Sequence, residues 1–299
     1  MVHIADNNAK VFVIIPNKNG IKHLSYSLPS LEQSTYLNYQ VLLIDDCSTD
    51  DSIEFVGTHC PGVKVLTNNG KKGFAGAVNT GIIYALNQGA DYIAIANSDI
   101  KVLPGWIELV IGLFHKHPDA GLVGLTEIIR DGKEPFLEPQ KVEYREVTNP
   151  CGCLYVCRSE VFKHIGLFDE EYFMYGEDTD FFCRLARAGY SILETNMPVW
   201  HYGEGASENR KFFITWLAYR NTIRFAIKNK SLVGVFKILL SLLNQGCNIF
   251  RWRTDAHFKR IRRYNVVINF MLIIASCSWN LFYLPKTLWL RFHANKLSG

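Results

Sequence analysis

The sequence predicts an α/β fold with a mostly parallel sheet flanked by helices and followed by a helical extension, and three observations carry that prediction. Apolar, β-branched runs at Val11–Ile15, Val41–Ile44 and Tyr92–Ala96 are continuous rather than alternating, as strands covered on both faces are. Helical spacing of apolar residues fills the intervals between them, at Leu24–Gln33 and Gly73–Gln88. After His201 the character changes to aromatic, basic and then strongly apolar segments.

Taken in order, Val11–Ile15 is a strand that stops at Pro16, and Leu24–Gln33 is the helix that returns the chain to a second strand ending in Asp45-Asp46. Val63–Leu66 gives a third short strand and Tyr92–Ala96 a fourth, which runs into Asn97-Ser98-Asp99. A helix follows Pro104 to about His117, then a strand at Gly121–Leu125 and a polar stretch over Arg130–Pro150 read as a loop. A strand at Cys151–Cys157, a short helix from Ser159 and a helix from Asp178 to Gly189 complete a catalytic domain placed at residues 1–210, with residues 211–299 as a helical, membrane-associating region.

The bulk numbers narrow the class. With 48% hydrophobic and 20% charged residues the chain is globular, and its net charge of +4 is too mild to point to nucleic acid. The basic excess gathers late, at Arg251, Arg253, Lys259, Arg260, Arg262 and Arg263, beside apolar segments, which suits anionic headgroups. Tyr264–Pro285 has twenty-two uncharged residues, enough to span a bilayer, but its asparagines and serines and its basic flanks favour a helix lying in the interface. The first sixteen residues lack the pattern of a secretory signal, so the expected location is cytoplasmic, peripheral to the inner membrane face. Eight scattered cysteines read as reduced and buried, and Cys151, Cys153 and Cys157 match no zinc spacing, so they are taken as packing residues.

Four clusters carry chemistry. Asp45 and Asp46 follow a buried strand, where carboxylates accept from a nucleobase or ribose, though aspartates also cap such turns. Small residues at Gly73, Ala75, Gly76 and Ala77 open a helix whose N-terminal amides suit an anion, in neither of the dinucleotide or ATP-loop patterns. Asp99, at a strand end, is a candidate oxygen ligand for a hard cation that would neutralise a leaving diphosphate, and equally a helix cap. Glu177-Asp178 sits among aromatics that raise carboxylate pKa values toward those of a general base, again with a helix cap as the alternative. His201 stands alone, and a lone histidine is more often structural.

Together and in this order, from about Val11 to His201, these clusters resemble the family 2 glycosyltransferases, particularly the rhamnosyltransferase-like branch. The resemblance implies the GT-A fold, with Pro16, Asn19, Asp45, Asp46, Gly73, Gly76, Asn79, Asn97 and Ser98 around the donor. It implies Asp99 and His201 as ligands of Mn2+ or Mg2+ and Asp178 as general base. Asn97 departs from the family's D-x-D motif by replacing its first aspartate, and the Q-x-x-R-W signature of processive synthases is missing. The implied activity is inverting, single-sugar transfer, rhamnose being one candidate, from a UDP- or dTDP-sugar to a hydroxyl of a lipid-linked saccharide. A nucleotide-sugar-binding scaffold without catalysis is the alternative; a nucleotidyltransferase would need a glycine-rich, arginine-bearing segment where Pro16-Asn17-Lys18-Asn19-Gly20 stands.

Overall fold

A computed structural model describes residues 8–129, 136–203, 211–247 and 264–293. The basic run at 251–263 and the expected domain boundary at 210 lie outside the described residues. In chain order the elements are β1 (Val11–Asn17), α1 (Ile21–Glu32), β2 (Tyr39–Asp45), α2 (Ser52–His59), β3 (Lys64–Thr67), α3 (Gly73–Asn87), β4 (Tyr92–Ala96), β5 (Ile100–Lys101), α4 (Trp106–Lys116) and β6 (Ala120–Ile129). There follow β7 (Tyr144–Glu146), β8 (Leu154–Arg158), α5 (Ser159–Ile165), a 3-10 turn (Glu170–Tyr172), α6 (Glu177–Arg187), β9 (Ser191–His201), α7 (Lys211–Asn229), α8 (Leu232–Cys247), α9 (Val266–Phe282) and α10 (Leu284–His293).

One sheet runs β3-β2-β1-β4-β8-β6-β9-β5, with β7 on β9. The expected parallel pairing holds across β3-β2-β1-β4, whereas beyond β4 the sheet is mixed: β8 is antiparallel to both β4 and β6, and β9 is parallel to β6. Two reversals cancel, so β6 and β9 point the same way as β4. The C-terminal ends of β1, β2, β4, β6 and β9 therefore share one edge, the edge at which open α/β sheets bind ligands.

The continuous apolar strands are explained by a core on each face. Side chains alternate along β1, so Val11, Val13 and Ile15 join Leu24, Leu28, Trp106 and Phe114 on one side, while Phe12 and Ile14 join Val78, Ile82, Phe181 and Leu185 on the other. Gly81 lets α3 lie close on β1, since a Cβ there would come 2.6 Å from Ile14.

Helices α7, α8 and α9 build a third, smaller core from Tyr219, Ile223, Leu242, Leu272 and Ile273. Their outer faces expose Leu232, Val233, Phe236, Val267, Phe270, Met271 and Phe282. Among the described residues no single helix is long and apolar enough to cross a membrane, and the apolar stretch expected from Tyr264 to Pro285 breaks at Tyr283, where α9 and α10 diverge by 62°. Pro285 cannot continue the α9 hydrogen bonding, which accounts for the break.

Candidate active site

The shared strand edge collects most of the expected residues. In register, Asn17 at the end of β1 faces Asp45 at the end of β2, and Asp45 faces Thr67 on β3. The loops after β1 and β2 are laced together: the Ser48 hydroxyl accepts from the backbone N–H of Asn19 (2.9 Å) and from Asn17 Nδ2 (3.2 Å), and Thr49 N–H donates to Asn19 Oδ1 (2.7 Å). Asn19 sits at φ 54°, a left-handed conformation that asparagine tolerates. Gly20 closes this corner by size, because a Cβ there would lie 2.3 Å from Asn17 Oδ1 and 3.7 Å from Ser98 Oγ. Pro16 is half-buried at the same strand end.

The two aspartates after β2 differ. Asp45 is buried and accepts from the Ser48 N–H at 3.1 Å, a turn that leaves acceptor capacity on both oxygens. Asp46 is spent on structure: its carboxylate takes the amides of Lys72 (2.8 Å) and Gly73 (3.0 Å) and Asn68 Nδ2 (3.0 Å). The amide of Ala75 goes to Phe173 O at 3.2 Å. At the glycine-rich helix start the amides of Lys72, Gly73 and Ala75 are thus bonded within the protein. Gly73, at φ +69°, is required by contact with Phe173, whose carbonyl would lie 2.4 Å from an added Cβ, and Gly76 lies against the Lys72 side chain.

Asn79 also moves from ligand to scaffold. It is 2% exposed, its Nδ2 donates to Phe168 O and Glu170 Oε1, both at 2.9 Å, and its Oδ1 accepts from Phe168 N at 3.0 Å. Helix α3 thus fastens the 168–173 segment that leads to Asp178, while its first residue, Gly73, ties it to Asp46 at the donor edge.

Asp99 and His201 meet, although 102 residues apart, with His201 Nε2 3.1 Å from Asp99 Oδ1. The meeting follows from topology: β5 pairs Ile100 with His201, and β9 ends on the edge where β4 ends. Asn97 Nδ2 lies 3.2 Å from the same Nε2. Asp99 is 4% exposed and its Oδ2 is buried with no hydrogen-bond partner among the described residues. Burial opposes the Asp99 charge, but the hydrogen bond and charge of His201 outweigh it and hold the carboxyl below its ordinary value. Burial likewise opposes the His201 charge, and the bonds to Asp99 and Glu127 overcome it, raising the imidazole to about 10.

Glu127 was not found from the sequence. It lies near the C-terminal end of β6 and bonds His201 Nδ1. That bond, against the cost of burial, holds the glutamate below its usual range. A carboxylate behind a histidine fixes the ring and leaves its other nitrogen to a metal. The donor set of a buried, unpartnered carboxylate oxygen and an oriented imidazole fits a divalent cation. At the end of β1, Lys18 Nζ and Asn17 Oδ1 are two further buried atoms without partners among the described residues.

Asp178 stands in the first turn of α6, where Gly176 takes φ +94° to start the helix. Its Oδ1 accepts from the Thr179 N–H (2.6 Å) and Thr179 Oγ1 (3.2 Å), and its Oδ2 lies 2.8 Å from the position a Cβ on Gly152 would take. Glycine at 152 therefore leaves Oδ2 uncovered. Burial raises the Asp178 carboxyl, the Thr179 bonds opposing it. Glu177 is driven well above its ordinary value by burial, with the Asp178 charge adding to the effect. Burial thus raises both carboxyls of the pair, and the elevated basicity of Asp178 suits a general base.

Helix α7 holds this segment from the other side. Asn221 Nδ2 lies within hydrogen-bond reach of the carbonyls of Tyr172 (3.0 Å), Met174 (2.8 Å) and Tyr175 (2.6 Å), and Arg220 Nη2 donates to those of Glu171 and Tyr172, both at 2.7 Å. Phe173 and Tyr175 have φ of 61° and 70°, strained values that these bonds hold in place.

Comparison with known proteins places this arrangement. The fold is the GT-A type: a mannosyltransferase from Pyrobaculum calidifontis, solved with GDP-Man and Mn2+, superposes with a TM-score of 0.59 at 16% identity over 92% of this chain and 87% of that one. S. aureus TarS 1-349, solved with UDP-GlcNAc, gives 0.60 at 17% identity over 97% and 88%. Residues 12–182 match the model of glycosyl transferase family 2, and the chain belongs to that family and is a glycosyltransferase. A UDP-Glc:alpha-D-GlcNAc-diphosphoundecaprenol beta-1,3-glucosyltransferase of Escherichia coli is 33% identical over 154 residues, 49% of this chain and 58% of that protein. An N-acetylglucosaminyl-diphospho-decaprenol L-rhamnosyltransferase of Mycobacterium tuberculosis is 29% identical over 221 residues, 60% of this chain and 72% of that one.

Proposed function

We propose that the chain is an inverting, non-processive glycosyltransferase that moves one sugar from a UDP- or dTDP-sugar to a hydroxyl of a lipid-linked saccharide in surface polysaccharide synthesis. The observation that carries the reading is the pairing of Asp99 with His201 on the strand edge where Asp45 retains acceptor capacity and Asp178 keeps one oxygen uncovered. The named activities of the two relatives, both on diphospho-polyprenol-linked sugars, support the acceptor class. A scaffold without catalysis would have no use for an aspartate of raised basicity opposite a glycine that exposes it.

In this reading residues up to about 210 bind the donor and residues 211–299 serve the membrane side. Asp45, with Pro16 and Asn19, holds the nucleoside, and Asn97 and Ser98 line the diphosphate. Lys18 Nζ, buried and unpartnered among the described residues, supplies positive charge to the same group. Asp99 and His201, backed by Glu127, hold a divalent cation such as Mn2+ or Mg2+; when bound it neutralises the charge that grows on the leaving diphosphate. Asp178 Oδ2 takes the proton of the acceptor hydroxyl as its oxygen bonds to the anomeric carbon and the bond to the nucleotide diphosphate breaks on the opposite face. One displacement inverts the centre.

The apolar faces of α8 and α9 lie on the cytoplasmic membrane surface, where the acceptor lipid resides. Flotation with anionic vesicles tests this: the full chain should float and a Phe236→Glu, Phe270→Glu double variant should stay below. Equal flotation of both would remove the membrane part of the reading.

Calorimetry with a panel of nucleotide diphosphates and their sugars, with and without Mn2+, tests the donor site. One nucleotide should bind in a Mn2+-dependent way, Asp99→Ala should abolish that dependence, and Glu127→Gln should lower the apparent affinity for Mn2+ by about 10- to 100-fold. Failure of every nucleotide to bind would contradict the reading.

A further inference from the structure

Two thiols beside the active site, Cys151 and Cys153, have no part in the transfer reaction. Cys151 and Cys153 flank Gly152 in the bend that leads into β8, where the Cys153 N–H approaches Cys151 Sγ (3.4 Å) and the two sulfurs converge to 3.1 Å. Cys151 Sγ also lies 3.5 Å from Glu127 Oε2. One ligand atom from each of Glu127, Cys151 and Cys153 falls within 4.8 Å of the others. The backbone holds the group in place, since the Asn97 N–H donates to Cys153 O at 2.8 Å, tying the cysteine strand to the end of β4. The C-x-C-x3-C spacing hides this arrangement, because the third thiol, Cys157, is buried on the opposite face of the sheet and the third ligand comes from β6.

We propose that Cys151, Cys153 and Glu127 form a thiolate site for a soft divalent cation, zinc by its chemistry, next to the Asp99–His201 pair and sharing Glu127 with it. Two thiolates and one carboxylate select a borderline-soft metal over Mg2+ or Mn2+, and three protein ligands leave a fourth position for water. A tetrahedral zinc needs a sulfur-to-oxygen separation of about 3.5 Å, which the Cys151–Glu127 distance already meets, and a sulfur-to-sulfur separation of about 3.8 Å. A small rotation of the half-buried Cys151 side chain opens the sulfur pair to that value. Binding releases the two thiol protons to solvent and requires no oxidant.

Glu127 makes the two sites communicate. One of its oxygens bonds His201 and the other faces Cys151, so a cation on the thiolates draws charge from the carboxylate that backs His201. Occupancy of the thiolate site therefore weakens binding of a second dication at Asp99 and His201.

Titration of the reduced full-length chain with Co2+ tests the proposal without reference to turnover, because only sulfur ligation gives thiolate-to-cobalt charge-transfer absorption. The proposal expects that absorption, with the visible bands of tetrahedral cobalt, to saturate at one equivalent and to be displaced by Zn2+. It should vanish in Cys151→Ser, weaken by about 10-fold or more in Glu127→Gln, and persist in Asp99→Asn. Circular dichroism of each variant separates loss of the site from loss of the fold. Wild type without the absorption, a folded Cys151→Ser that keeps it, or an Asp99→Asn that loses it as fully as Cys151→Ser would overturn the proposal.

Discussion

Arg224 on α7 and Asp169, fifty-five residues earlier, form a two-pronged ion pair at 3.0 Å through Nε and 2.8 Å through Nη2, with Arg224 fully buried. Lys228 Nζ completes the group, 2.8 Å from both Asp169 and Asp180, and Arg184 bonds Asp180 at 3.2 Å. This network anchors the C-terminal helices to the segment that carries Asp178. Deleting Arg224 leaves the buried Asp169 with Lys228, a cation it shares with Asp180, so Arg224→Met should cost about 3 kcal/mol. Urea unfolding of the variant against wild type measures it; a cost below about 1 kcal/mol would mean that the network is not what joins the two parts.

The same network sets an acid limit. Burial opposes the Asp180 charge, but Lys228 and Arg184 overcome it and lower the carboxyl to about 2, and Asp169 is also lowered by Lys228 and Arg224 against its burial. A carboxyl depressed in the folded state stabilises it above the unfolded pKa of about 4 and loses that contribution as pH falls through the folded value. Asp180 should thus contribute about 2 kcal/mol that disappears between about pH 4 and pH 2. Glu177 and Asp178, raised by burial, act with the opposite sign and offset part of the loss. Unfolding free energy against pH for wild type and Asp180→Asn checks the sign: the variant's curve should be flatter below pH 4.

Asn221 positions the base without touching substrate. Replacing it with alanine removes its bonds to the carbonyls of Met174 and Tyr175, leaves Tyr172 O to Arg220, and lets the strained turn at Phe173 and Tyr175 relax. Displacement of Asp178 on the ångström scale costs on the order of 100-fold in turnover, while the donor, held on other strands, keeps its affinity. Steady-state kinetics on Asn221→Ala should show a fall in kcat with little change in donor KM; an equal rise in KM would point to a collapsed donor site instead.

Strands β1 to β4 and helices α1 and α3 were legible because β1, β2 and β4 are covered on both faces and read as unbroken apolar runs, whereas the short α2 was not read from the sequence. Strand β9 was not, for its sequence SILETNMPVWH neither alternates nor runs apolar, and its pairing with β6 shifts register between Thr195 and Pro198. Without β9 there was no reason to bring His201 to Asp99 except family resemblance. Glu127 was hidden for the same reason, since β6 runs to Ile129, four residues past its apolar core. Asp46 and Asn79 were placed around the donor by the family resemblance, and their bonds within the protein, to the Lys72 and Gly73 amides for one and to Phe168 for the other, join segments that the sequence does not show to be neighbours. Nothing local in the sequence marks Arg224 and Lys228 as buried, because the aspartates that pair with them, Asp169 and Asp180, lie far off in sequence.

The role of Asp178 is tested most directly by Asp178→Asn, which keeps the shape of the side chain and removes its basicity, assayed in parallel for transfer to a lipid-linked acceptor and for donor affinity by calorimetry. Transfer should fall by about 100- to 10,000-fold while the donor Kd stays near that of wild type. Turnover close to wild type, or loss of donor binding together with turnover, would contradict the assignment of Asp178 as the base.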